Sequence, residues 1–277
     1  MTQPDPTREY AQYHRPARFE GLELLTAHFY AHEFTPHVHD GYAIALVEQG
    51  AERFRYRGTE HVATPGTVAI INPGEVHTGS RAAEEGWSYR VFYPTPELMR
   101  TLAESMDGWT GGTPYFTEAV THDPALVASM RALHAAMTGT ASVLERESRW
   151  FGAMGSLFTR HARGVRVQAG TLQVGTALER AREILLDRMT EQVGLTALAT
   201  EVGLSAWHLN RAFRERFGLP PHAYLQQLRV ARARVLLRSP CSIADIAGKL
   251  GFADQAHLTR LFKRTFGVTP GAYRRAA

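Results

Sequence analysis

The chain has 277 residues, 31 Lys+Arg against 27 Asp+Glu for a net charge of +4, and a single cysteine. That length accommodates two domains with a core each. No apolar run reaches the ~18 residues of a membrane span, the polar start lacks the apolar core of an export signal, and Cys241 alone excludes an intrachain disulfide; a cytoplasmic protein is expected. The charge is unevenly spread: residues 171–277 hold 16 basic and 8 acidic side chains, net +8, and residues 1–170 hold 15 and 19, net −4. A basic C-terminal segment is the footprint of a module laid on phosphates, whereas the acidic half is not expected to bind DNA.

Residues 1 to about 19 form an arm with no clear pattern. Short strand-like runs follow at 22–30, 42–48, 53–56, 60–63, 67–71 and 87–93, separated by turn signals at Gln49-Gly50, Arg57-Gly58, Pro65-Gly66 and Asn72-Pro73-Gly74. Many short strands at this spacing predict an antiparallel sandwich or barrel. The stretches FTPHVHDGYAIALVEQG and GTVAIINPGEVHTG resemble the two motifs of a cupin jelly roll. His37, His39 and His77 stand where that resemblance implies metal ligands, but Ile44 replaces the carboxylate expected about five residues after His39. Three neutral imidazoles would still suit zinc or iron. No metal and no cofactor is expected, and His37, His39, Tyr42, Glu75, His77, Trp87 and Tyr89 are expected to line a small-molecule pocket.

From Pro96 the period becomes helical. A short helix is predicted to Ser105, a last strand at 115–117, and a helical hairpin over 124–138 and 142–163, whose Leu126, Met130, Leu133 and Met137 make one apolar face. Residues 164–175, with three glycines and no periodicity, read as a linker. The chain is therefore divided into a domain at 1–163, the linker, and an all-α domain at 176–277 whose first helix covers 176–189.

The last hundred residues contain a duplication. Leu195, Leu198, Ala199 and Val202 recur at helical spacing before Gly203, and Ile243, Ile246, Ala247 and Leu250 do so before Gly251. At an offset of 49 residues Leu209 matches Leu258, Arg211 matches Arg260, Phe213 matches Phe262, Phe217-Gly218 matches Phe266-Gly267, Pro221 matches Pro270 and Tyr224 matches Tyr273. Core spacing alone would not restore Arg, the Phe-Gly stop, Pro and Tyr together. Two short helices about a glycine turn, the second with exposed polar groups, make a helix-turn-helix.

In GLSAWHLNRAF and GFADQAHLTRLFKRTFGVTPGAYRR the chain resembles the AraC/XylS family of bacterial transcription regulators. The resemblance implies a DNA-binding unit of two helix-turn-helix modules joined by a long helix over 222–237, with the recognition helices about one DNA turn (~34 Å) apart. It also implies a cupin-like ligand-binding domain ahead of them, an α+β protein of two domains. Ser205 caps the first recognition helix, on which Trp207, Asn210, Arg211 and Arg214 share a face. The second offers Gln255, His257, Thr259, Arg260 and Lys263. Trp207, Asn210, Arg211, Gln255 and Arg260 suit base edges; Arg214, His257, Thr259, Lys263 and Arg264 suit phosphates. The expected partners are double-stranded DNA, a small-molecule effector and a second copy through the 124–163 helices, with RNA polymerase left open. A metal-dependent cupin enzyme fused to a DNA-binding unit, or a constitutive regulator, are the alternatives; the missing carboxylate argues against the enzyme.

Overall fold

The computed structural model describes residues 7–106, 108–109, 112–163, 174–266 and 268–276. Most of the expected linker, and the Gly267 stop, lie outside them. The chain divides into two compact units, Met1–Thr138 with Ala153–Gln168, and Gly139–Gly152 with Ala169–Ala277.

The first unit runs β1 (Tyr10–His14), β2 (Leu22–Phe29), β3 (Phe34–His37), β4 (Ala43–Gly50), β5 (Glu52–Tyr56), β6 (Thr59–Ala63), β7 (Thr67–Ile71), β8 (His77–Arg81), β9 (Trp87–Pro94), α1 (Pro96–Glu104), β10 (Tyr115–Phe116), β11 (Val120–His122) and α2 (Pro124–Thr138). Helix α3 (Val143–His161) belongs to this unit from Ala153 onward, as does β12 (Ala162–Arg163). A six-stranded sheet in the order β1-β2-β9-β4-β7-β11 faces a four-stranded one, β3-β8-β5-β6, and β10 pairs with β12. Their inner faces meet in one core, with Leu25, Ala45, Ile71 and Val91 from the larger sheet and Phe54, Tyr56 and Ala63 from the smaller.

Strand alternation sends Ala43, Ala45 and Val47 into that core and turns Ile44 and Leu46 to the other face, where both are fully buried. There α2 covers the sheet with Leu126, Met130 and Leu133. Burial on both faces explains why the β4 and β7 sequences read as continuous apolar runs. It also means that the apolar face of α2 is already used within the chain.

The arm is not patternless. Residues Tyr10 to His14 pair antiparallel with β2, from Tyr10↔His28 to His14↔Leu24. An edge strand that is mostly exposed has no hydrophobic alternation to betray it. Just before it, the Glu9 carboxylate accepts the backbone N–H groups of Tyr30, Ala31 and His32 at 2.8, 2.6 and 2.9 Å, which anchors the strand.

His134 of α2 is buried edge-on to Phe92, ring centroids 5.4 Å apart. Burial, helped by the charge of Arg90, holds its pKa at about 4 instead of 6.5. The unfolded chain therefore binds the extra proton first. This contribution to stability is complete above pH 6.5 and is lost as pH falls toward 4, by at most about 3 kcal/mol. His134→Leu is expected to lose less stability than the wild type between pH 7 and pH 5 in urea unfolding; an equal loss would contradict the assignment.

The second unit contains the α3 residues up to Gly152, then α4 (Val174–Asp187), α5 (Leu195–Glu201), α6 (Ala206–Phe217), α7 (Pro221–Leu236), α8 (Ile243–Lys249), α9 (Gln255–Phe266) and α10 (Pro270–Ala276). Its two cores repeat one construction. Phe213 packs on Phe217 and Tyr224 with centroids at 4.4 and 5.4 Å, and Phe262 packs on Phe266 and Tyr273 at 4.6 and 5.6 Å. The matched residues of the sequence repeat are thus the matched residues of two cores.

Candidate ligand cavity and nucleic-acid interface

Between the sheets lies a cavity of about 200 Å³. Leu25, Phe29, Phe34, Phe54, Ile71 and Val91 give it apolar walls, and Tyr13, His37, His39, Glu52, His77, Tyr89 and Tyr93 its polar ones. The histidines converge because β3 and β8 pair His37 directly with His77, and the chain leaving β3 carries His39 back over them. Ring centroids are 4.3 Å apart for His37–His77 and 5.0 Å for each pair with His39. The Nδ1 atoms of His37 and His77 lie 2.8 and 3.2 Å from the carbonyls of Thr35 and Glu75. Burial lowers the His77 pKa to about 4, with smaller help from the neighbouring histidines, and also lowers that of His39. The Glu52 carboxyl is pushed up to about 8 by burial, and burial likewise raises the Tyr89 and Tyr93 phenols. At neutral pH the cavity presents the uncharged imidazoles of His39 and His77, a protonated carboxyl and phenolic hydroxyls.

Four of the seven residues expected to line a pocket do so: His37, His39, His77 and Tyr89. Tyr42 does not; β4 turns it to the outer face, where its hydroxyl donates to the Pro114 carbonyl. Trp87 is fully buried in the core beside Phe29 without reaching the cavity wall. Glu75 points elsewhere, accepting the Tyr56 hydroxyl, Arg57 Nε at 2.8 Å and the Tyr115 hydroxyl at 3.1 Å. Tyr93 and Glu52 were findable, since they continue the inward alternation of Tyr89-Val91 and of Phe54-Tyr56. Tyr13 was not, because its strand had no signature.

In the helical unit each module has a turn glycine with positive φ, Gly203 at 73° and Gly251 at 71°, a backbone region that costs glycine nothing. Ser205 caps α6 by accepting the His208 N–H at 3.2 Å, and Asp254 caps α9 by accepting the His257 N–H at 2.5 Å.

Residues 20–154 match the family described as AraC-like ligand binding domain, and residues 198–276 match a helix-turn-helix domain family. The chain belongs to the AraC/XylS family of transcriptional regulators. It is 28% identical over 226 residues to the HTH-type transcriptional regulator YbfI of Bacillus subtilis, covering 82% of each chain. It is 26% identical over 246 residues to the HTH-type transcriptional activator RhaS of Escherichia coli, covering 86% of each. Among solved structures, an AraC-type regulator from Chromobacterium violaceum is 29% identical over 37% of this chain and 92% of its own, TM-score 0.35. The AdpA DNA-binding domain, solved with a target DNA, is 33% identical over 36% of this chain and 91% of its own, TM-score 0.35. No described helix is long and apolar enough to cross a membrane.

In this AraC-family regulator the two recognition helices are not equally open. On α9, Gln255, Arg260 and Lys263 are exposed, and His257 and Thr259 are half-buried. On α6, Arg214 is exposed and Arg211 is half-buried, its guanidinium 4.8 Å from the Trp207 ring centre. Trp207 and Asn210 are only 4% and 7% exposed. Both were expected on the DNA-facing side. Asn210 Nδ2 instead donates to the Ser148 carbonyl of α3 at 3.1 Å. Beside it, Glu147 accepts the Thr196 N–H at 3.1 Å and Glu145 accepts Gln226 Nε2 at 3.1 Å. Residues some sixty positions upstream thus lie on the face that α6 periodicity leaves polar.

Proposed function

We propose that this AraC-family DNA-binding regulator is switched by a small molecule held in the cavity between its sheets, with α6 and α9 reading successive major grooves. The observation that carries the reading is the coexistence in one chain of a walled cavity with converging polar groups and a duplicated helix-turn-helix unit. On this reading it acts in the cytoplasm, where the DNA is, and is not an enzyme. His37, His39, His77 and Tyr89 contact the effector; Arg211, Gln255 and Arg260 reach base edges, and Arg214, His257, Thr259, Lys263 and Arg264 meet phosphates. Domains at 1–163 and 176–277, pairing of two copies through outward residues of the 124–163 helices, and contact with RNA polymerase belong to the same proposal.

A ligand can move a DNA-binding equilibrium only by binding two states unequally, and that coupling is reciprocal. The test is a thermal-shift screen of metabolites followed by DNA-affinity measurements with each hit. An effector is expected to raise Tm and to change DNA affinity about 5–150-fold. A broad library with no stabilising compound, or hits that leave DNA affinity unchanged, would favour the constitutive alternative.

A further inference from the structure

We propose that His37, His39 and His77 bind one divalent transition-metal ion of the zinc class, leaving an open coordination position that faces the cavity. The orientation of the rings carries this. A carbonyl oxygen can only accept a hydrogen bond. In the neutral form of His37 and of His77, whose Nδ1 atoms meet the Thr35 and Glu75 carbonyls, the proton therefore sits on Nδ1 and the Nε2 lone pair is free. This is the arrangement by which metal-binding imidazoles are held and tuned from behind. His39 makes no hydrogen bond through its ring among the described residues, so it too has a lone pair to offer.

One ring nitrogen from each histidine lies within 4.8 Å of the others. Tetrahedral zinc at ~2.1 Å from each nitrogen needs them ~3.4 Å apart. Of the three, His37 and His77 are fixed in β3 and β8, while His39, half-buried, lies on the loop that follows β3.

Three nitrogens leave tetrahedral zinc one ligand short. The β4 strand cannot supply it, because Ile44 faces away and the cavity side shows only Ala43 and Ala45. The fourth position belongs to water or to the effector. The ion would bring positive charge into the chamber. The effector class it selects is a small molecule with an anionic oxygen donor, such as a carboxylate. That last step rests on the ligand-switched reading above; the metal site does not.

The test uses the full chain, made without a histidine tag, stripped by chelator and titrated with Co²⁺. One Co²⁺ per chain is expected, with the visible absorption of a four- or five-coordinate ion, displaced by Zn²⁺ and perturbed by azide as a small anionic probe. His39→Ala should keep the metal-free Tm and far-UV spectrum yet weaken binding at least about 100-fold, while His122→Ala, on the distant edge strand β11, binds like the wild type. No saturable binding, or binding that His39→Ala leaves intact, would overturn the site. A spectrum unchanged by azide would overturn the open position. None of these readouts involves DNA or an effector, so failure of the regulatory reading would leave them unaffected.

Discussion

Arg229→Ala is expected to destabilise the helical unit by about 3–5 kcal/mol, more than removal of an ordinary surface arginine by several-fold. Arg229 sits on α7 and is 5% exposed. Its guanidinium donates to three backbone carbonyls: Met189 at 2.7 Å, Glu191 at 3.0 Å and Gly251 at 2.7 Å. The first two follow the end of α4, and the third lies in the turn of the second helix-turn-helix. One side chain therefore ties the opening helix to the second module through the connecting helix. Burial lowers its pKa to about 10, which still leaves it charged at neutral pH.

Truncation would leave three part-buried carbonyl acceptors without their donor, and alanine can satisfy none of them. Gly251 is part of the same joint. A Cβ there would meet Arg229 Nη2 and the Thr190 carbonyl, each at 2.9 Å, on a backbone whose φ is already 71°. Gly251→Ala should therefore destabilise in the same direction. Denaturant unfolding followed by far-UV circular dichroism measures both, and an Arg229→Ala variant within 1 kcal/mol of wild type would refute this account of the joint.

The second large effect concerns DNA. Arg260→Ala and Gln255→Ala are each expected to weaken binding to a preferred site by about 1–3 kcal/mol and to relax selectivity at one base position. Both side chains are exposed on α9, and the sequence repeat sets Arg260 where α6 has Arg211. Lys263→Ala should instead weaken cognate and random duplexes alike and reduce the salt slope by about one. Binding curves on cognate and scrambled duplexes at two salt concentrations separate the outcomes. Asn210→Ala belongs to a third kind: with Nδ2 buried against Ser148, its first effect should be on stability.

Much of this architecture is written in local pattern. The duplicated helices were legible because core leucines, phenylalanines, glycines and the Pro and Tyr recur at one offset, each with a packing reason. The histidine cluster was legible as three residues, but not as a convergence, which depends on the β3–β8 register. What the sequence hid was contact between distant segments. Arg229 lies on a helix that also carries Arg232 and Arg234, so it reads as one more solvated charge until three carbonyls are seen around it. Asn210 occupies a face that looks solvent-exposed until Ser148 of α3 is seen against it, and Trp207, on the same face by helical spacing, is buried as well. Glu75, a loop carboxylate beside a cavity histidine, joins a tyrosine–arginine network formed across β5.

On the function proposed above, a pair of equivalent helices in the basic unit reads one duplex. Selection of bound sequences from a random duplex pool, with wild type, Arg211→Ala and Arg260→Ala in parallel, tests it most directly. The expected result is a site of two blocks with centres about 10–10.5 base pairs apart, each variant losing definition in a different block. A pool with no enriched sequence, or two variants degrading the same block, would contradict it.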